Sequence, residues 1–168
     1  MPRKEIEDVK VRVGTPEDIE GVMNLAMMVC RENGVFEPNV DKIFADIWPS
    51  LHQDFGLVGV IGAPGEPLEG FVLLRVATRW YSDAGIIEEK TVFVHPDLRG
   101  AAGGRARKLC EFSKKVSDEL NLPLIIGVLS NNRTRSKVRM YERVFGEPAG
   151  AFFLYGAKTG NWAQQAAE

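Results

Sequence analysis

No apolar run in this chain reaches the roughly 18 residues that a membrane-crossing helix needs, so no membrane partner is expected. Cysteine is scarce: only Cys30 and Cys110 occur, each on the apolar stripe of a predicted helix. Two such residues make no disulfide framework. They read as small buried hydrophobes in a reducing cytoplasm. The first residues, Met1 to Asp8, are charged and lack the apolar core of a secretory signal. Histidine is equally sparse. His52 and His95 have no Cys, His or Asp neighbours at ligand spacing, so no metal is expected. There is no G-x-S-x-G elbow and no P-loop. Repeats, low-complexity tracts and linkers are absent too. One domain over residues 1–168 is therefore expected, with a core of about 9–156 and a tail of 157–168.

What is present is ordinary globular chemistry: 45% apolar and 26% charged residues, enough to build a two-layer core. The net charge of −2 hides an asymmetry. Between Arg99 and Arg143 stand eleven Lys/Arg against four acids, a balance of +7, so the rest of the chain carries −9. A basic C-terminal half beside an acidic N-terminal half points to an anionic ligand held by the former.

The alternation of Val9, Val11 and Val13 reads as a strand. Thr15-Pro16-Glu17-Asp18 opens a helix with a cap, a first-turn proline and a capping-box-like pair. Ile19 to Cys30 carries its apolar residues at helical spacing, and Gly34 to Pro38 breaks it. A second helix places Val40, Ile43, Phe44, Ile47, Trp48 and Leu51 on its inner face and ends at His52. Leu57–Ile61, Glu69–Thr78 and Ile86–Val94 read as an antiparallel meander, with turn residues from Trp80 to Gly85. The longest helix starts at Gly103, with Leu109, Phe112, Val116 and Leu120 on one stripe. Pro123 to Leu129 is almost wholly apolar, as in a strand covered on both faces. A fourth helix from about Asn132 to Phe145 and a last strand from Ala149 to Tyr155 complete the order β-α-α-β-β-β-α-β-α-β. The expected class is α+β, a mixed and mostly antiparallel sheet with helices on both faces.

The strongest local signal is Val92-Phe93-Val94-His95-Pro96-Asp97-Leu98-Arg99-Gly100-Ala101-Ala102-Gly103-Gly104-Arg105. A strand ends, a turn of small residues follows, and a long helix begins. Small residues admit a ligand close to the backbone, and N–H groups at the helix head face it. With the helix dipole they suit a pyrophosphate, and Arg99 and Arg105 add charge at the rim. The plain alternative is a Gly/Ala turn that only permits tight packing.

This stretch resembles the cofactor motif of the GNAT superfamily of N-acetyltransferases, in which a strand ending V-x-P precedes (R/Q)-x-x-G-x-(G/A) at a helix head. Val94-His95-Pro96 and Arg99-Gly100-Ala101-Ala102-Gly103-Gly104 carry the match, and the element order follows that fold from Val9 to about Tyr155. One position departs: Ala102 stands where the family's first glycine falls. A positive φ there would strain alanine by about 1 kcal/mol.

The resemblance implies acetyl-CoA as acyl donor, a GNAT-type fold, and transfer of an acetyl or other acyl group to a primary amine. Backbone groups from Val92 to Val94, chiefly those of Phe93 and Val94, would pair with the pantetheine arm. The amides of Gly100, Ala101, Ala102, Gly103, Gly104 and Arg105 would hold the diphosphate. The last strand would splay from Leu124–Leu129 to open a cleft. Tyr141, aligned with the family's tyrosine, would protonate the departing thiolate. Asn131 or Asn132 would supply an amide contact, since Thr134 and Lys137 stand where the family prefers Asn and Ala.

A general base is useful, and Glu88 and Glu89 interrupt an apolar strand. Strict alternation puts Glu88 on the face of Val92 and Val94, and Glu89 on that of Thr91 and Phe93, which favours Glu88 slightly. Solvated acids paired with Lys90 or Arg75 remain the alternative. On the acceptor side, Arg31 to Pro38, Asp41, Asp46, Trp80, Tyr81 and Asp83 would suit a cationic small-molecule or peptide amine. Many members pair through sheet edges, which makes a homodimer the assembly to look for. Two other readings stay open. One is a non-catalytic GNAT-like module that holds CoA, with Ala102 and Lys137 marking lost chemistry. The other, nucleic-acid binding through Arg133, Arg135, Lys137, Arg139 and Arg143, is not expected: no single stripe and no aromatic platform organises them.

Overall fold

The computed structural model describes residues 9–100, 104–130 and 133–157. Strand β1 (Val11–Val13) leads through a short 3-10 turn (Pro16–Asp18) into helix α1 (Ile19–Asn33). The turn is fixed by the expected capping acid. Asp18 is buried, accepts the Thr15 N–H at 2.8 Å, and holds Arg12 through two bonds of 2.7 and 2.8 Å. The Arg12 guanidinium keeps its carboxyl below the usual range. Gly34 ends α1 in the left-handed region at φ 59°. Helix α2 (Val40–Leu51) is capped by Asn39, whose side chain accepts the Lys42 N–H.

Strands β2 (Gly56–Ile61), β3 (Gly70–Arg79) and β4 (Ser82–Val94) form the antiparallel meander. The turn is shorter than the sequence suggests. Arg79 pairs with Ser82 around Trp80 and Tyr81, and an irregularity leaves Asp83 and Ala84 unpaired before Gly85 meets Thr78. Helix α3 (Arg105–Leu120), strand β5 (Leu124–Ile125) and helix α4 (Thr134–Phe145) follow. The sheet order is β1-β2-β3-β4-β5, with β5 alone parallel to its neighbour. Two cores result. Val22, Leu25, Ile47, Leu51, Phe71 and Phe93 pack α1 and α2 on one face. Val72, Leu74, Ile87, Val92, Val94 and Leu109 pack α3 on the other.

Three expectations require correction. The stripe of α2 is wider than the surface that covers it: Ile47 and Leu51 are buried, but Val40, Phe44 and Trp48 stay exposed. Phe44 and Trp48 stack on each other instead, at 5.6 Å. Second, Pro123–Leu129 is not covered on both faces. Burial alternates, Ile125 and Leu129 are exposed, and only two residues pair with β4. Third, no strand forms over 149–155, and so none splays from β5. Phe152, Phe153 and Tyr155 are exposed, and a strand needs an edge whose hydrogen bonds it can complete. The tail beyond 157 lies outside the described residues.

Candidate active site

Strand β4 organises the site through one irregularity. Leu73 pairs with Thr91 but Leu74 pairs with Glu89, so Lys90 is an extra residue in a β-bulge. The bulge reverses the faces that strict alternation assigns. Ile87 packs with Val92 and Val94 on the α3 face, and Glu89 joins them there. Glu88 turns to the opposite face, opposite Arg75. It binds Lys90 at 2.9 Å and approaches Arg79 at 4.0 Å, the solvated pairing of a structural acid.

Glu89 therefore points toward α3 and α4. Burial pushes its carboxyl up to about 7, against the pull of the Gly127 N–H at 3.3 Å and the charges of Lys137 and Lys90. Tyr141 on α4 is half-buried beside Phe145. Burial raises its pKa, and the charges of Glu89 and Cys110 add to the effect, so the hydroxyl stays protonated at neutral pH. Lys137, one helical turn earlier, has its pKa lowered, chiefly by burial. Cys110 is fully buried and its thiol is pushed up to about 12, which removes it as a nucleophile.

Of these groups Lys137 and Tyr141 line a cleft between the outer edge of β4 and α4, together with Val92–Val94 and Arg99. The edge is open because β5 pairs with β4 only at Ile87 and Glu88. The ladder's alternation decides which backbone groups face the cleft. The His95 N–H bonds the Glu69 carbonyl, so Val94 and Val92 turn their N–H and C=O outward, while those of Phe93 turn to Phe71 in β3. Val92 and Val94, rather than Phe93, face the open edge. The Val94 carbonyl accepts the Arg99 Nε at 2.9 Å. The same guanidinium pairs with Glu32 of α1 at 2.7 Å and lies 4.8 Å from the centre of the Phe93 ring.

At the head of α3, Gly100 and Gly104 have φ of 65° and 54°, and a Cβ on either would meet open space. Glycine serves the backbone conformation there, not close packing. Ala101, Ala102, Gly103, Asn131 and Asn132 lie outside the described residues. Arg105 is not at the rim: it is buried, with Nε 2.9 Å from Glu69, and ties α3 to the start of β3. Only its backbone N–H remains for a ligand.

A second cleft adjoins the first along β4. Lys90 and Thr91 line it, together with α1, α2 and β3 residues that include Asn33 and Asp46. Of the suggested acceptor-side residues it gathers these two alone. Trp80 and Tyr81 stack edge-to-face at the β3–β4 turn, away from either cleft. The sequence marked Asn33 only as part of the run Arg31 to Pro38, and it gave no sign of the Arg99–Glu32 pairing. Both depend on where the end of α1 meets β4. Among the described residues no cluster of three potential ligands for a metal occurs, and no helix is long and apolar enough to cross a membrane.

No family model and no curated protein matches the sequence. Solved structures do. An aminoglycoside N-acetyltransferase in complex with CoA superposes with a TM-score of 0.66 at 17% identity, over 92% of this chain and 97% of that one. A ribosomal-protein-alanine N-acetyltransferase from Brucella melitensis biovar Abortus gives 0.62 at 16%, over 87% and 96%. An integron cassette protein from the mobile metagenome of Cole Harbour Salt Marsh gives 0.66 at 20%, over 86% and 88%. At such identities the likeness is one of fold.

Proposed function

We propose, from the premise that this chain has the α+β fold of the GNAT N-acetyltransferases, that it transfers an acetyl or similar acyl group from an acyl-CoA to a primary amine. The observation that carries this reading is the protonated Tyr141 hydroxyl lining the cleft at the open edge of β4, within electrostatic reach of Glu89, whose carboxyl burial brings to about 7.

The residues present fit an acyl-CoA donor. Val92 offers an outward N–H and C=O and Val94 its N–H, with the spacing of an added strand, as the amides of a pantetheine arm require; the Val94 C=O is held by Arg99. The N-terminus of α3, reached through two positive-φ glycines, offers amides to a diphosphate, and Arg133 and Lys137 supply positive charge along the cleft.

The thioester supplies an activated carbonyl, and the chain's groups manage protons around it. Glu89 accepts a proton from the amine as its nitrogen attacks the carbonyl carbon. The C–N bond forms, the C–S bond breaks, and Tyr141 donates its proton to the leaving thiolate. A base near 7 matches a cytoplasmic pH, and a hydroxyl with a raised pKa stays available as donor. Proximity in the cleft contributes the rest.

The test is a panel of amines with acetyl-CoA, read by thiol release. Tyr141→Phe should lower kcat by about a hundredfold while acetyl-CoA still raises Tm. Equal turnover by mutant and parent would remove Tyr141 from the mechanism. If neither acetyl-CoA nor CoA raised Tm, donor binding itself would be refuted. Binding without thiol release from any amine would favour a CoA-holding module over an enzyme.

A further inference from the structure

The second cleft carries information about the acceptor. It abuts the donor cleft along β4, with Lys90 and Thr91 in one and Val92 to Val94 in the other. Its walls are apolar, formed by Val29 of α1, Ile43 and Ile47 of α2, and Phe71 and Leu73 of β3. Its polar groups are unequal in sign. The Asn33 Oδ1 is buried and has no hydrogen-bond partner. The Asp46 carboxylate has no ion-pair partner among the described residues. Lys90, the cation on this wall, is already bound to Glu88 at 2.9 Å. The Cys30 thiol, with its pKa raised by burial, stays neutral.

A buried carbonyl oxygen without a donor is rare, because the lost hydration is not replaced. Beside a free carboxylate and aliphatic walls, it describes the complement of one ligand type: an ammonium or other strong donor at the end of an apolar segment. A simple alkylamine would fill the walls but leave the Asn33 oxygen unmet and the exposed Asp46 carboxylate to water.

We infer that the acceptor is an aliphatic amine bearing a second ammonium group. The remote ammonium binds between Asn33 and Asp46, the spacer lies between α2 and β3, and the reacting amine reaches the β4 edge at Thr91. This rests on the transferase reading above and names the substrate class of the same site.

Three amines of equal chain length separate the possibilities: diaminobutane, aminobutanol and butylamine. With acetyl-CoA, kcat/KM for diaminobutane should exceed that for butylamine by about tenfold, mainly through KM, with aminobutanol between them. In Asp46→Asn the advantage of diaminobutane over aminobutanol should vanish. In Asn33→Ala that of aminobutanol over butylamine should shrink. A second readout needs no turnover. Cys30 lines this cleft while Cys110 is fully buried, so diaminobutane alone should slow alkylation of Cys30 and butylamine should not. Equal kcat/KM for the three amines, a diamine preference that survives Asp46→Asn, or equal protection of Cys30 overturns the inference and leaves the transferase reading standing. Absence of thiol release with every amine overturns both.

Discussion

At the scale of single residues, the proposed mechanism gives Glu89 and Tyr141 the pH behaviour. A base must be deprotonated to act, so turnover should rise with pH and level off above about 7, the value burial gives Glu89. Tyr141, its pKa raised above the ordinary tyrosine value, contributes no fall on the alkaline side near neutrality. Glu89→Gln should abolish this inflection and lower kcat by about a hundredfold. A pH–rate profile of parent and mutant checks it, and an unchanged inflection would assign the base elsewhere. The position of Tyr141 in the cleft wall was legible in the sequence because a motif anchors it. The choice between Glu88 and Glu89 was not. The polar run Glu88-Glu89-Lys90-Thr91 has no apolar alternation to betray an extra residue, and one bulge exchanges the faces. Arg105 misled for a related reason: a basic residue at a helix head looks like an anion contact until Glu69 is found beside it.

The elements were legible wherever a local signal marks them. Thr15, Pro16 and Asp18 open the first helical segment and Gly34 closes α1, as the residues indicate. The run from Ala149 to Tyr155 shows the opposite case. Its aromatic alternation suits a strand, but β5 offers only two paired residues and no edge to join. Packing between elements supplies two further predictions. Gly59 of β2 lies under Phe112 of α3, where an added Cβ would meet ring carbons at 2.6 and 2.7 Å and Val72 at 2.9 Å. Gly59→Ala should therefore cost about 1–3 kcal/mol. Gly104→Ala meets no atoms but keeps φ at 54°, so it should cost about 1 kcal/mol through backbone strain alone. Denaturant midpoints rank the two, and a Gly104→Ala penalty above that of Gly59→Ala would contradict this account.

Over the whole molecule, the sheet separates two kinds of titration. Asp18 has a lowered pKa, so its pairing with Arg12 stabilises the fold above the ordinary Asp range and is lost as pH falls through the lower, folded value. Glu89 works in reverse. Its folded pKa lies near 7 against an ordinary 4.5, so the native state binds the extra proton and stability falls as pH rises between those values, by up to about 3 kcal/mol. Glu89→Gln should flatten that fall and raise Tm at pH 8 more than at pH 5. Thermal melts across that range decide it, and identical pH curves would show that Glu89 is not desolvated in the folded protein. The expected trade of stability for activity is thus located in one carboxyl.

The guanidinium of Arg99 already occupies the place on the Val94 carbonyl that an arriving arm would take, and Glu32 holds it there. A visitor can then enter only as often as that side chain lets go. Stopped-flow binding of acetyl-CoA should accordingly show an observed rate that saturates with concentration instead of climbing linearly, and trimming Glu32 to alanine should lift the plateau.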